Sequence, residues 1–212
     1  MPAHWLAAAA AICIVASFAL SQQEQPAPAT KPAGKPNLTP EQAMALSVKY
    51  GQPGPQHAAL KALAGRFDAE FNLMMSKDGP SVVAKGSAVN DLLYDGRYLR
   101  SELSVEVMGQ PYKSTLTLGF DNIREKYVAT QIDTRSTMIL ASEGSADAAG
   151  KVITMMVERP NPMTGKVDPM KTVTTLVDPD RYTYDEARVR NQDTTFWHLV
   201  FFCSRICLKL IL

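Results

Sequence analysis

Hydrophobic and polar residues alternate along most of the chain beyond residue 65. In the first such segment, apolar residues occupy positions 67, 69, 71, 73 and 75, and the residues between them are mostly polar. A period of two places successive side chains on opposite faces of a β-strand. Similar segments recur near 82–93, 99–107, 112–119, 126–132, 138–145, 151–157, 170–177 and 181–188. The pattern therefore predicts nine short strands.

Turn-forming residues separate these strands, and no helical pattern lies between them. Examples are Lys77-Asp78-Gly79-Pro80, Tyr94-Asp95-Gly96 and Gly109-Gln110-Pro111. Consecutive strands joined by short turns form an antiparallel meander rather than βαβ units. A long meander has to close or fold over, because open edges pair with other chains. The predicted fold class is mostly β, as an up-and-down barrel or a strongly curved half-barrel.

One or two short helices are predicted before the strands. Thr39 is expected to be the N-cap of the first helix, with Pro40 at its first position and Gln42 completing a capping box. The second helix is expected between Gly54 and Gly65, which are both helix-ending residues. This helical lead-in and the strands make up one predicted domain, residues 39–194.

The start of the chain resembles an export signal. An unbroken apolar run of 15 residues extends from Leu6 to Leu20, which is shorter than the ~20 residues needed to span a bilayer. Small residues at Ala19 and Ser21 allow cleavage after Ser21. Residues 1–21 are therefore predicted to be a signal peptide, with periplasmic or extracellular export and no stable membrane span after cleavage. The alternative is an uncleaved anchor, because no Lys or Arg precedes the apolar run.

The segment behind the signal differs from the C-terminal end of the chain. Residues 22–38 are rich in Pro and Ala and are predicted to be a disordered linker. Residues 195–212 are apolar without alternation and are treated as an atypical tail. We favour an aberrant end that retains a last strand near 195–203. A final strand pair is the second interpretation, and Arg205 and Lys209 argue against the third, a membrane anchor.

Composition excludes some functions and offers no chemistry. The net charge is +1, from 22 basic and 21 acidic residues, so there is no basic surface for nucleic acid. The histidines beyond the signal, His57 and His198, are isolated, and no catalytic or metal-binding motif occurs. His57 is expected to cap or pack at the barrel end, with haem ligation as the disfavoured alternative. We predict no catalytic residues, no metal and no cofactor, and we favour a protein that is not an enzyme.

Candidate ligand-binding residues come from the inward positions of the strands and from nearby arginines. The candidate apolar lining is Phe71, Leu73, Leu103, Val105, Leu116 and Leu118. The candidates for contact with an anionic head group at a barrel mouth are Arg97, Arg100 and Arg124. Polar residues between Asp121 and Thr137 are expected to form hairpin turns, since Asp, Asn, Ser and Thr accept hydrogen bonds from turn amides.

Several stretches between Pro55 and Asp185 resemble an uncharacterised bacterial family, domain of unknown function 1579. They lie at 55–65, 95–99, 109–112, 119–128, 132–137 and 162–166. The resemblance implies a calycin-like barrel, related in shape to lipocalins and fatty-acid-binding proteins, and implies no activity. Such barrels often open with Gly-x-Trp, whereas this chain has Phe67 in the Trp position, and Phe67 is expected to fill the same space.

Three hypotheses for function follow. The leading one is a non-catalytic exported barrel that binds a small apolar or amphipathic molecule, because an 8–10-stranded barrel is wide enough for one such ligand. The alternative is an envelope structural or interaction protein with a packed barrel and an exposed apolar face. The third is an enzyme of unknown class, which requires polar groups that converge inside a cavity.

Overall fold

A computed structural model describes residues 38–74, 81–190 and 193–205, with only the backbone at 190 and 193–202. Two helices, α1 (Pro40–Gly51) and α2 (His57–Ala62), precede the strands within these residues. The first five strands are β1 (Gly65–Met74), β2 (Ser81–Leu93), β3 (Tyr98–Val107), β4 (Gln110–Asp121) and β5 (Lys126–Asp133). The others are β6 (Leu140–Ala146), β7 (Val152–Pro160), β8 (Val167–Asp178), β9 (Arg181–Arg190) and β10 (Asp193–Arg205).

The predicted fold class is confirmed, since these strands form one closed antiparallel barrel. Each strand pairs with the next along the chain, and β10 pairs with both β9 and β1. The nine predicted strands correspond to β1–β9, with ends that differ by at most three residues. The predicted signal peptide, residues 22–37 of the linker and the predicted turn at 77–80 lie outside the described residues.

The tenth strand lies in the segment that the sequence sets apart as a tail. Residues 193–205 form β10, so the barrel extends beyond residue 194. The last strand expected near 195–203 is thus present, although apolar residues occupy both parities from Phe196 to Phe202 and give no alternation. Backbone hydrogen bonds to two neighbouring strands do not depend on alternation, so the segment pairs on both edges.

One end of the barrel, here called the closed end, is filled by α2 and by Phe67. Leu60 and Leu63 are buried there. Phe67 is 1% exposed, and its ring meets that of Tyr182 edge-on with 5.0 Å between centroids. The guanidinium of Arg205 lies 5.3 Å from the centroid of the Phe67 ring. The expectation that Phe67 fills the space of a Trp at this end is confirmed.

At two glycines inside strands, the backbone of the neighbouring strand comes very close. A Cβ on Gly86 would lie 2.0 Å from the carbonyl oxygen of Ser104, and one on Gly144 would lie 1.9 Å from that of Thr154. Real atoms do not approach so closely, and backbone cannot move aside as the tip of a side chain can. Glycine within a strand therefore allows the neighbouring backbone to come near and the barrel to curve.

The first helix is attached to the barrel by backbone contacts at its end. Its capping box is present, with the Gln42 amide donating to Thr39 Oγ1 at 3.3 Å. None of the side chains of α1 is buried. Asn122 Nδ2 donates to the carbonyls of Tyr50 and Gln52, both at 2.8 Å.

Within the described residues, no helix has the length and apolarity to cross a membrane.

Candidate functional site

A cavity of about 80 Å³ lies inside the barrel and has a mixed lining. Its apolar residues include Leu63, Leu99, Leu103, Leu116 and Leu118. Its polar residues include Asn90, Ser101, Gln131, Thr174, Tyr182 and Tyr184, and Ser101 lies between Leu99 and Leu103 on β3, opposite Leu116. An engineered cavity of about 150 Å³ binds one benzene, and this cavity has about half that volume. The interior is thus largely packed around a small cavity.

The apolar candidates divide into two sets. Leu103, Leu116 and Leu118 border the cavity. Phe71 and Val105 are buried in the core, and Leu73 packs against it while partly exposed. The inward orientation of the alternating positions is therefore confirmed for all six, because Leu73 and Phe71 share the parity of the buried Phe67 and Ala69. Their role in ligand binding stays a prediction.

The three arginine candidates lie away from the cavity. Arg97 follows β2 in a turn, where its Nε donates to the carbonyl of Gly51 at 2.8 Å. Arg100 points outward from β3 and pairs with Asp91 and Glu102. Arg124 lies in the β4–β5 turn at the closed end and pairs with Asp121 and Glu143. These contacts stabilise turns and link side chains on the outer surface of the barrel. An interaction of these arginines with an anionic head group stays a prediction.

The polar residues of the hairpins have the role expected for them. Asp121 Oδ1 accepts from the amides of Ile123 and Arg124 at 2.9 and 3.0 Å. Hydrogen bonds from Arg124 and from these amides lower the pKa of Asp121 to about 2. At the other end of β5, Asp133 Oδ1 accepts from the amide of Arg135 at 2.8 Å. The interpretation of these groups as turn-stabilising is confirmed.

His57 also has a structural role. It is buried, and its Nδ1 accepts from the amide of Gly54 at 2.9 Å. Its ring meets Phe120 edge-on, and burial lowers the pKa of His57. The side chain of His198 lies outside the description. In the described part of the chain, no group of three or more His, Cys, Asp and Glu side chains could hold a metal ion.

Sequence reasoning missed two ion pairs inside the barrel, at the end opposite α2, here called the far end. Arg159 Nη2 donates to Glu186 Oε1 at 2.6 Å, and Glu186 is 5% exposed. Arg188 pairs with Asp168, which also accepts from Asn161 Nδ2 at 2.8 Å. The alternation of inward and outward positions along the strands would have placed these charged residues inside the barrel. Glu186 and Arg188 continue the inward positions 182 and 184, and Arg159 continues 153, 155 and 157.

Burial controls the protonation of this end of the barrel. Loss of solvent raises the pKa of Glu186 even though Arg159 opposes the shift. Burial also raises the pKa of Tyr112 and of Tyr184, so both phenols stay protonated at neutral pH. Tyr184 borders the cavity and donates to Glu186 Oε2 at 3.5 Å. The charged groups and the cavity are therefore adjacent, with Tyr184 common to both.

Comparison with known proteins supports the family resemblance. A family model described as "Protein of unknown function (DUF1579)" matches residues 52–201. The chain belongs to the DUF1579 family. No curated protein matches the chain significantly. Membership of DUF1579 brings no activity with it, so the function has to be argued from the site.

Solved structures resemble this DUF1579 chain in fold alone. The crystal structure of Rv2717c from M. tuberculosis is 16% identical, with a TM-score of 0.53, and the match covers 73% of this chain and 99% of that one. The S-type phycobiliprotein lyase CPES from Guillardia theta is 6% identical, with a TM-score of 0.47 over 73% of this chain and 98% of that one. A redesigned β-barrel is 10% identical, with a TM-score of 0.37 over 70% and 95% of the two chains.

Proposed function

We propose that this chain is an exported, non-catalytic barrel that binds a small amphipathic molecule in its interior. The observation that carries the proposal is the mixed lining of the cavity, which combines leucines with hydroxyl and amide groups. A pocket that is mainly apolar, with a few fixed polar groups, selects a ligand by shape and by hydrogen bonding. Export is supported by the apolar run and the small residues of positions 6–21.

The polar residues of the lining have hydrogen-bonding capacity to offer a ligand. Asn90 is 3% exposed, and its Nδ2 donates to the carbonyl of Leu63 at 2.8 Å and to Tyr182 Oη at 3.2 Å. The carbonyl of Leu63 can only accept, so this amide orientation is fixed. Asn90 Oδ1 then has no partner within the described residues. A buried acceptor without a donor costs about 1–3 kcal/mol, which a ligand hydroxyl or a water would relieve.

The size of the cavity limits the ligand class. A cavity of about 80 Å³ has about half the volume of one that binds benzene, so it fits the end of a short alkyl chain. It does not fit a membrane lipid or a tetrapyrrole unless the barrel opens. We therefore expect a short-chain molecule such as hexan-1-ol, with the tip of its chain against Leu103 and Leu116 and its polar end beyond Tyr184.

The proposal is tested on the chain expressed with residues 1–212 and purified from the exported fraction. Native mass spectrometry should find a mature chain beginning at Gln22 and one small organic molecule per chain, which solvent extraction then recovers. Ser101→Leu adds bulk to the cavity lining and should abolish both the bound molecule and the binding of added hexan-1-ol. Ser104→Leu, on the outer face of the same strand, should retain both. A purified chain that carries nothing and does not bind hexan-1-ol contradicts the proposal.

The alternative, an interaction protein of the cell envelope, has its own support. The cavity is small, and the outer face of β4–β7 is concave around Thr117, Gly119, Val128 and Ala141. Met156 and Tyr98, both partly exposed, border this concave face. A chain that copurifies with a stoichiometric protein partner and contains no small molecule would favour this function over ligand binding.

A further inference from the structure

We propose that Arg159 is the binding site for a carboxylate head group of the ligand, and that Glu186 occupies this site until the ligand arrives. The inference rests on the proposed function and specifies the ligand class, a short-chain carboxylate. The proposed site lies at the far end of the barrel, where Arg159 of β7 meets Glu186 of β9.

The first observation is that the pairing between these two groups is incomplete. The Nε and Nη2 of an arginine form one edge of the guanidinium, with two parallel N–H groups that match the two oxygens of a carboxylate. Glu186 Oε1 accepts from Nη2 at 2.6 Å. The Nε of Arg159 is buried and has no partner in the described part of the chain. A carboxylate placed across this edge would satisfy both N–H groups.

The second observation is the position of the edge relative to the cavity. Tyr184 borders the cavity and its hydroxyl donates to Glu186 Oε2 at the long distance of 3.5 Å. Tyr184 and Glu186 are two residues apart on the same face of β9, which corresponds to about 7 Å along a strand. A ligand with its alkyl chain in the cavity can therefore extend past Tyr184 to Arg159.

The neighbouring ion pair is built differently and is not expected to exchange. Asp168 accepts from Arg188 through Oδ1 and from Asn161 Nδ2 through Oδ2, at 2.8 Å for the second contact. Both of its oxygens are thus engaged, whereas Glu186 has one short contact and one long one. Displacing Glu186 breaks a single short hydrogen bond.

Exchange would couple ligand binding to uptake of a proton. A displaced Glu186 would be a buried carboxylate without its cation, and burial already favours its neutral form. The groups that face it are Arg159 from β7, Tyr112 from β4, Asp133 from β5 and its own neighbour Tyr184, together with Thr172 from β8. Asp133 adds like charge, and the two phenols are neutral. The part of β10 that pairs with Glu186 lies within residues 193–202, of which the backbone alone is described.

The test compares hexanoate with hexan-1-ol, which has the same chain and no charge, by titration calorimetry on the full mature protein. Lowering the pH from 7 to 6 should tighten hexanoate binding by up to about tenfold, as expected when one proton is taken up. Hexan-1-ol should bind equally at both pH values. Heats measured in two buffers of different ionisation enthalpy should report about one proton taken up for each hexanoate.

Three variants assign the effect to the pair. Arg159→Lys keeps the charge and loses the two-pronged edge, so hexanoate should bind at least tenfold more weakly and hexan-1-ol as before. Glu186→Gln should bind hexanoate more tightly than the unmodified chain and without pH dependence. Arg181→Lys, at the first position of β9 at the closed end where Arg181 pairs with Asp178, is the matched control and should leave both affinities unchanged.

The outcomes separate the two proposals. If hexan-1-ol binds and hexanoate binds without proton uptake or without loss in Arg159→Lys, the exchange is wrong and ligand binding stands. If neither compound binds the unmodified chain, the proposed function is wrong. The proton count needs no variant, and retained hexan-1-ol binding shows that a variant has kept its cavity, so misfolding cannot imitate the expected result.

Discussion

Replacement of Gly86 by alanine should destabilise the barrel more than any ordinary surface change. The added Cβ would lie 2.0 Å from the carbonyl oxygen of Ser104 and 2.8 Å from the Cα of Val105. Comfortable contact needs about 3.5 Å, so β2 and β3 would have to separate by more than an ångström. Overpacking commonly lowers the free energy of unfolding by about 1–3 kcal/mol. Because the obstructing atoms here belong to the backbone and cannot rotate away, we expect a loss of about 3 kcal/mol. For a chain of this size that lowers the melting temperature by roughly 6–12 °C.

Urea denaturation followed by circular dichroism measures this change as a free energy of unfolding. The matched control is Gly51→Ala at the end of α1, where no atom lies within 4 Å of the new Cβ and the backbone does not require glycine. Alanine there should stabilise by up to about 1 kcal/mol, because it restricts the unfolded chain. A Gly86→Ala variant as stable as the unmodified protein would show that the sheet does not bend tightly at this residue.

Three further changes probe the closed end, the first helix and the buried carboxylate. Phe67→Ala should lower the free energy of unfolding by about 3–5 kcal/mol and Phe67→Leu by less, since alanine leaves a much larger cavity than leucine; equal losses would contradict this packing role. Thr39→Ala should cost α1 about 1 kcal/mol and speed amide exchange there without moving the melting temperature, because α1 buries no side chain. Burial raises the folded-state pKa of Glu186 above 4.5. The folded state therefore holds this proton more tightly, and the unmodified chain loses stability as pH rises from 4.5 through the raised pKa. Glu186→Gln should lack that loss, and urea denaturation midpoints measured at two pH values, one on each side of this range, test it. A variant whose stability falls with pH as much as that of the unmodified chain would contradict the prediction.

The comparison of pattern and structure is clearest at the two ends of the barrel. Alternation and turn residues predict β1–β9 because a strand with one buried face repeats every two residues. The same parity places Phe71, Leu103 and Leu116 inside. Alternation is absent from β10, where both parities are apolar, so the strand expected near 195–203 rests on hydrophobicity alone, and its pairing with both β1 and β9 is seen only in the structure.

The candidate site was less accessible to sequence reasoning. Arg97, Arg100 and Arg124 are chosen as charges near turns, yet their partners hold the turns and the outer surface. Arg159 and Glu186 lie 27 residues apart and meet only because β7, β8 and β9 are neighbours in the barrel. The sequence alternation indicates that both side chains point inward. Which inward residue of β7 meets which inward residue of β9 depends on the stagger between the strands.

The sequence by itself determined the class of fold, the positions of the turns and the capping of α1, because these depend on local periodicity and on short-range hydrogen bonds. Tertiary structure alone decided the closure by β10, the volume of the cavity and the ion pairs at the far end. These features depend on the register between strands and on the close backbone approach at Gly86 and Gly144. Each of these features depends on the relative positions of strands that are distant in sequence, so no single segment of the chain determines it.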